Sequence, residues 1–475
     1  MNHRFVSVLA VLTLCLGVYA QKPDTKPTDM AAGKPDYSPE SFVLEQVRTT
    51  YRFENDGTGR REIYARIRVQ SEAGVQQWGQ VVVGYNSANE KIEIPYVRVH
   101  KADGSVITAS EDAVQDLSAP VQREAPVYTD YRQKHITVPG LRPGEVLEYD
   151  VVAVIHTALA PGQFWMEHDF EKNAISLDEQ LEVDVPRDRS IKLKNNKGMD
   201  PKITDKDGRR VYHWKSSHLV REDDDQEDEK PHKRKKTEPE PPGIQLTTFA
   251  SWQDVGKWYA ALEHDRRVPL PEIKIKVAGL TEGLKTDSDK IQALYDYVST
   301  NFRYVSLSLG AGRYQPHAAV DVLHNQYGDC KDKHTLLEAM LEAAGYRASS
   351  VLINSSRKLD PDVPSPSQFD HVITLLPREK EEIWMDTTAE VAPYRLLAFP
   401  LRKKQALVVP PDGAGHLEET PADTPSPNVQ LEEIDGNISQ LGKLSLHVHY
   451  TLRGDSELLM RMLFRRVPKP QWRKF

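Results

Sequence analysis

The sequence predicts an α+β protein: an all-β sandwich, then a mixed helix-and-strand core, then the start of a C-terminal β domain. Three observations lead there. Short β-rich runs alternate with turn residues from about residue 41 to residue 219. A block of charge and proline interrupts the chain at 220–243. Helical spacing of apolar residues then appears among further strands, before strand-like text returns near residue 428.

The chain opens MNHRFVSVLAVLTLCLGVYAQ. A short basic start, an apolar stretch from Phe5 to Val18 and small residues near Ala20 have the layout of a secretory signal peptide over 1–20. The apolar stretch is short for a membrane span; an uncleaved N-terminal anchor is the alternative. Leu14 is too large for the residue before a lipidated cysteine, which weakens a lipoprotein reading at Cys15. No second hydrophobic run reaches membrane length, so no transmembrane span is expected after cleavage. Residues 21–40, rich in Lys, Pro, Asp and Ser, read as a flexible lead. The expected location is the periplasm or cell envelope, or outside the cell.

From Phe42 the pattern is that of strands. Two alternating runs flank NDGTG, where Asp56-Gly57 and Gly59 signal a hairpin. GQVVVGY, KIEIPYVRVHKADGSVI, HITVPGLRPGEVLEYDVVAVI and EQLEVDVP continue the theme, which predicts a β-sandwich domain over 41–219. Residues 220–243 contain EDDDQEDEKPHKRKKTEPEPPG, which cannot bury apolar surface and reads as a solvated linker, with a partner-docking tail as the alternative. The formal net charge of −8 argues against a general nucleic-acid binder.

The core is expected over 244–427. Ser251 is a good N-cap for the helix in SWQDVGKWYAALEHD, with Asp254 in its first turn. Ile291, Leu294, Tyr295 and Val298 fall at helical spacing, and strands are expected near Ser350 and His371. Residues 428–475 return to strand-like text with little room for a complete β domain.

The chain has two cysteines, Cys15 and Cys330. Removal of the signal peptide leaves Cys330 unpaired in an oxidising compartment. It is then a buried thiol, an intermolecular disulfide partner or a nucleophile. Its context is NQYGDCKDKHTLLEAMLEAAGY. Asp329 is the expected N-cap, Leu336, Leu337, Met340, Leu341 and Ala344 the apolar stripe, and Gly345 the stop. Cys330 therefore falls in the first turn, where the helix end favours a thiolate and backbone N–H groups can hold an oxyanion. Gly328 would let a substrate backbone approach closely.

A nucleophilic cysteine needs a base and an orienting group. In FDHVITLLPREKEEIWMDTT, a turn over Pro377–Lys380 sets Leu376 opposite Glu381 and His371 opposite Asp386. Directly opposed side chains have Cβ atoms about 4.5–5.5 Å apart, which suits an imidazole held by a carboxylate.

YGDCKDKHTLLEAMLEAAGY, FDHVI and WMDTT together resemble the transglutaminase-like superfamily of papain-like thiol enzymes, over roughly residues 287–398. The region 41–219 resembles DUF3857, a β-rich domain of unknown function that precedes this core in exported bacterial proteins. The resemblance implies a Cys-His-Asp set: Cys330 as nucleophile, His371 as general base and acid, and Asp386 orienting His371. It implies acyl transfer through a thioester on a protein or peptide amide, completed by water or by an amine. The alternative is a catalytically silent binding or scaffold protein of the cell envelope. His334 departs from the small residue usual in the family. It lies four residues after Cys330 and so shares its helix face, where it tunes or crowds the thiol, or simply caps or packs at the domain surface.

The remaining signals are weaker. His324, Cys330 and His334 match no usual zinc spacing, and His447 with His449 reads as one face of a solvated strand. His168 reads as a β-domain edge. Trp252, Trp258 and Tyr259 read as core, and Tyr314 and Tyr327 as possible cleft lining. No Gly-rich phosphate loop or calcium loop is present, so no cofactor and no metal are expected.

Overall fold

The computed structural model describes residues 36–123, 125–128, 130–220, 238–307, 314–423 and 427–474. The expected signal peptide with Cys15, the lead as far as residue 35, and the charged run at 221–237 lie outside the described residues.

Strands β1 (Phe42–Phe53) and β2 (Gly59–Val69) form the expected hairpin, pairing Phe53 with Gly59. Asp56 Oδ1 accepts from the Thr58 amide and hydroxyl, and Gly57 takes φ of 89°, a conformation glycine adopts without a Cβ penalty. Helix α1 (Glu72–Trp78) follows, in a region expected to be all β. Its cause is local: the Ser71 side chain accepts from the Gly74 amide, and Glu72 sits in the first turn.

Next come β3 (Gln80–Asn86), β4 (Glu90–His100), β5 (Val106–Thr108), β6 (Val114–Ser118) and β7 (Tyr131–Thr137). Then follow β8 (Val146–Ile155), β9 (Trp165–His168), β10 (Ser176–Pro186), β11 (Lys192–Asn195), β12 (Lys202–Lys206) and β13 (Arg209–His218). An eight-stranded sheet runs β12-β13-β10-β1-β2-β8-β4-β5. The three-stranded sheet β3-β7-β6 covers part of it through Ile67, Val99, Ile136 and Leu147, all fully buried. A second core joins Leu181 and Val183 of β10 and Trp214 of β13 to Met166 of β9. The expected sandwich is therefore one large sheet faced by smaller ones.

Strand β14 (Ile244–Thr247) lies between β11 and β9. The boundary expected at 244 thus falls before a strand that pairs with the N-terminal sheets. Ile244 and Leu246 are fully buried there.

The core begins with α2 (Trp252–Glu263), capped by Ser251, whose side chain accepts from the Asp254 amide. It continues through α3 (Pro271–Thr281), α4 (Asp287–Asn301), β15 (Arg303–Tyr304), α5 (Ala319–Asn325), β16 (Tyr327–Gly328) and α6 (Cys330–Ala343). Strands β17 (Ser349–Ile353), β18 (His371–Pro377), β19 (Glu382–Met385), β20 (Gln405–Val409) and β21 (His416–Glu419) make a sheet of order β19-β18-β17-β20-β21. Ile291, Leu294, Tyr295 and Val298 of α4 pack on Leu336, Leu337, Met340 and Leu341 of α6, as their spacing predicts. Gly345, at φ 86°, ends α6.

The C-terminal segment holds the ribbon β22 (Val429–Ile438) and β23 (Leu444–Arg453), then α7 (Asp455–Arg466), a helix the strand-like text does not announce. Gly454, at φ 69°, ends the strand. Asp455 and Glu457 in the first turn, with Arg465 and Arg466 in the last, complement the helix dipole. Among the described residues no helix is long and apolar enough to cross a membrane.

Candidate active site

The site is assembled at the start of α6. Asp329 is the N-cap, as expected, and its side chain accepts from the Asp332 amide at 3.1 Å. Cys330 is the first helical residue; its thiol is free and the residue is 1% exposed. It packs among Tyr259, Leu352, Phe369 and Val372. Gly328 is needed for a reason other than substrate approach: a Cβ there would lie 2.7 Å from the Asp332 Cβ.

His371 opens β18, paired with Ile353 of β17. Its Nε2 lies 3.3 Å from Asp386 Oδ2, and Cys330 lies near enough to the imidazole to favour its charged form. Asp386 Oδ1 accepts from the Thr388 amide at 2.9 Å and from its hydroxyl at 2.8 Å. Burial disfavours an imidazolium at His371, but the charge and hydrogen bond of Asp386, with the contact to Cys330, hold its pKa well above the usual value. Burial likewise works against ionised Asp386; His371 and Thr388 outweigh it and keep the carboxyl below its usual range.

The three residues expected at the site are thus together, by a register different from the expected one. Leu376 pairs with Ile383 and Pro377 with Glu382, and the Arg378 amide donates to the Glu381 carbonyl at 2.9 Å. The turn is therefore 378–381, not 377–380. Extending the observed register sets Asp386 opposite Ile373, diagonal to His371. A shift of two preserves side-chain parity, so the pair still meets; a shift of one would have separated it.

Charged groups surround the turn that holds Cys330. Asp329 pairs with Lys331, and both are buried. Burial first, then the charge of Asp332, pushes Asp329 up to about 6 against the pull of Lys331. Asp332 Oδ2 accepts from the Tyr128 hydroxyl at 2.7 Å, and Oδ1 accepts from the His317 amide at 2.8 Å. Burial opposes ionised Asp332, yet His317 and Lys331 hold it far below the usual carboxylate range. The Tyr128 hydroxyl also accepts from the Asp329 amide at 2.6 Å. Lys333 Nζ donates to the Phe302 carbonyl at 2.6 Å, and burial pushes it down to about 8.

His334 is not at the domain surface. It is 1% exposed, with Nδ1 2.7 Å from Thr374 Oγ1 and Nε2 2.8 Å from Ser350 Oγ. Glu263 and Glu338 lie beside it. Tyr128, His317, Glu263 and Glu338 were not anticipated as neighbours of this helix start. Only Glu338 carried a signal, four residues after His334 on the same helix face.

Other singled-out residues lie elsewhere. His324 is exposed and paired with Glu272. His168 packs edge-on against Phe170 at 4.9 Å between centroids. His447 and His449 lie on the exposed β22–β23 ribbon. Trp258 packs on Trp165 at 5.8 Å and on Tyr314 at 5.2 Å, so this aromatic group is largely core. The Tyr327 hydroxyl accepts from the Val127 amide at 3.3 Å.

Comparison with known proteins agrees with this architecture. Residues 55–221 match the family model of DUF3857, a domain of unknown function with a solved structure. Residues 276–370 match that of the transglutaminase-like superfamily. No curated protein matches the chain. A crystal structure described as a "putative protease" from Parabacteroides distasonis ATCC 8503 superposes with a TM-score of 0.66 at 14% identity, covering 81% of this chain and 72% of that one. A "putative cysteine protease" from Cytophaga hutchinsonii covers 61% of this chain and 84% of its own at 13% identity, but its TM-score of 0.25 carries no weight. The chain thus joins a DUF3857 domain to a core of the transglutaminase-like superfamily.

Proposed function

We propose that the protein is an exported thiol-dependent acyl-transfer enzyme acting on protein or peptide amides. The observation that carries this reading is the convergence of Cys330, His371 and Asp386 from a helix start, a strand start and a strand end. The Cys330 sulfur attacks the amide carbonyl, and first-turn N–H groups receive the developing oxyanion. His371, charged and held by Asp386, gives its proton to the leaving amine, and a thioester remains. Water then yields hydrolysis, or a second amine yields a cross-link.

One observation favours a second reading, a silent binding protein: Cys330 is 1% exposed and His371 8%. Alkylation by iodoacetamide separates the two. In an enzyme, Cys330 of the mature protein reacts readily below neutral pH, and His371→Ala slows it about tenfold or more by removing the base. Reaction confined to alkaline pH and indifferent to the substitution overturns the acyl-transfer reading.

A further inference from the structure

One turn beyond Cys330, α6 presents His334 and, four residues on, Glu338 to a closed polar site. Glu263, the last residue of α2, enters from the side. His334 Nε2 lies 3.3 Å from Glu338 Oε2 and 3.9 Å from Glu263 Oε1. One donor atom from each of the three residues lies within 4.8 Å of the others, and all three residues are buried. Ser350 Oγ adds a fourth donor, 2.8 Å from Nε2 and 2.6 Å from Glu263 Oε2.

The surroundings orient these groups. The Thr374 hydroxyl occupies Nδ1 at 2.7 Å, which leaves Nε2 facing the carboxylates. Arg267 Nη1 donates to Glu338 Oε1 at 2.7 Å. The other oxygen, Oε2, is fully buried, accepts no hydrogen bond and points at the imidazole. Two buried carboxylates face one arginine, so the site has room for further positive charge. A tetrahedral ion with bonds of about 2.0–2.2 Å holds its donors about 3.3–3.6 Å apart. The His334–Glu338 separation of 3.3 Å already fits, Glu263 at 3.9 Å closes slightly, and Ser350, now at hydrogen-bond distance, moves outward to admit the ion.

We propose that Glu263, His334 and Glu338, with Ser350 as fourth donor, bind one divalent transition-metal ion of the zinc class. The ion is structural: it clips α2 to α6 and β17 behind the nucleophile, and it takes no part in the chemistry proposed for Cys330. Sequence spacing misses it because one ligand, Glu263, stands 71 residues before His334 (334 − 263).

The test is metal content. The mature protein, produced with added Zn2+ and passed through metal-free buffer, should retain about one zinc per chain, and a strong chelator should lower its melting temperature. Glu338→Gln and Glu263→Gln should each lose the zinc and the chelator response. Should either variant fail to fold, wild-type protein produced with Co2+ provides the second readout, through the visible absorption of a four-coordinate N/O site. Wild-type protein without stoichiometric metal or cobalt absorption, or zinc retained by both variants, overturns the proposal. The cluster would then be a hydrogen-bonded network sharing a proton.

Discussion

At the scale of the residue, the site is a balance between burial and pairing. His371 and Asp386 are both buried, and each keeps its charge because the other is there. The linkage has opposite signs for the two. His371 has a raised pKa in the fold, so its contribution is complete below the unfolded value of about 6.5 and is lost as pH rises through the folded one. Asp386 has a lowered pKa, so its contribution is complete above about 3.9 and is lost as pH falls through the folded one. Asp386→Asn should therefore destabilise most between about pH 4 and 6.5, with the difference from wild type shrinking on either side. Urea unfolding of both proteins across pH measures it; a pH-independent difference would deny the ion pair. That His371 faces Asp386 was legible in the sequence, because the hairpin and the parity of strand positions are local. That Lys331, Asp332 and Lys333 are buried was not legible, since charged residues in a first turn ordinarily face water.

At the scale of the element, α6 differs from an ordinary amphipathic helix: every residue from Cys330 to Leu341 is buried. The apolar stripe read from the sequence faces α3, α4 and α5, and the polar residues meet partners instead of solvent. Such a helix tolerates little at its start. Gly328→Ala places a methyl carbon 2.7 Å from the Asp332 Cβ, so the turn holding Asp332, His317 and Tyr128 must shift. Overpacking of this kind costs about 1–3 kcal/mol, and the variant should also show altered alkylation of Cys330. Denaturant melts and the alkylation rate check both effects; unchanged values would mean the turn yields freely. The β18–β19 hairpin shows how far local pattern reaches. Its existence and the facing of His371 follow from alternation, whereas the turn position depended on the Arg378–Glu381 hydrogen bond, which no alternation reports.

At the scale of the whole molecule, the β-rich half is tied into the core close to the site. Thr247 Oγ1 donates to the Pro364 carbonyl at 2.9 Å, Arg357 Nη2 to Glu167 Oε2 at 2.7 Å, and Trp258 Nε1 to the Leu159 carbonyl at 3.2 Å. Tyr128 makes a further tie, at the start of α6. Its hydroxyl accepts from the Asp329 amide and donates to Asp332, so a residue of the N-terminal half completes the cap of α6. Residues 204 apart in sequence carry no shared periodicity, and this contact could not have been read in advance. It makes a specific demand. Tyr128→Phe keeps the ring against His317 but leaves a buried N–H and a buried carboxylate each short of a partner. The expected loss is about 1–3 kcal/mol. It should be accompanied by faster hydrogen exchange at the amides of Asp329 to Asp332, because the opening that exposes them no longer breaks the bonds to Tyr128. A variant with wild-type exchange at those amides would show that the turn holds itself, and that the N-terminal half merely rests beside it.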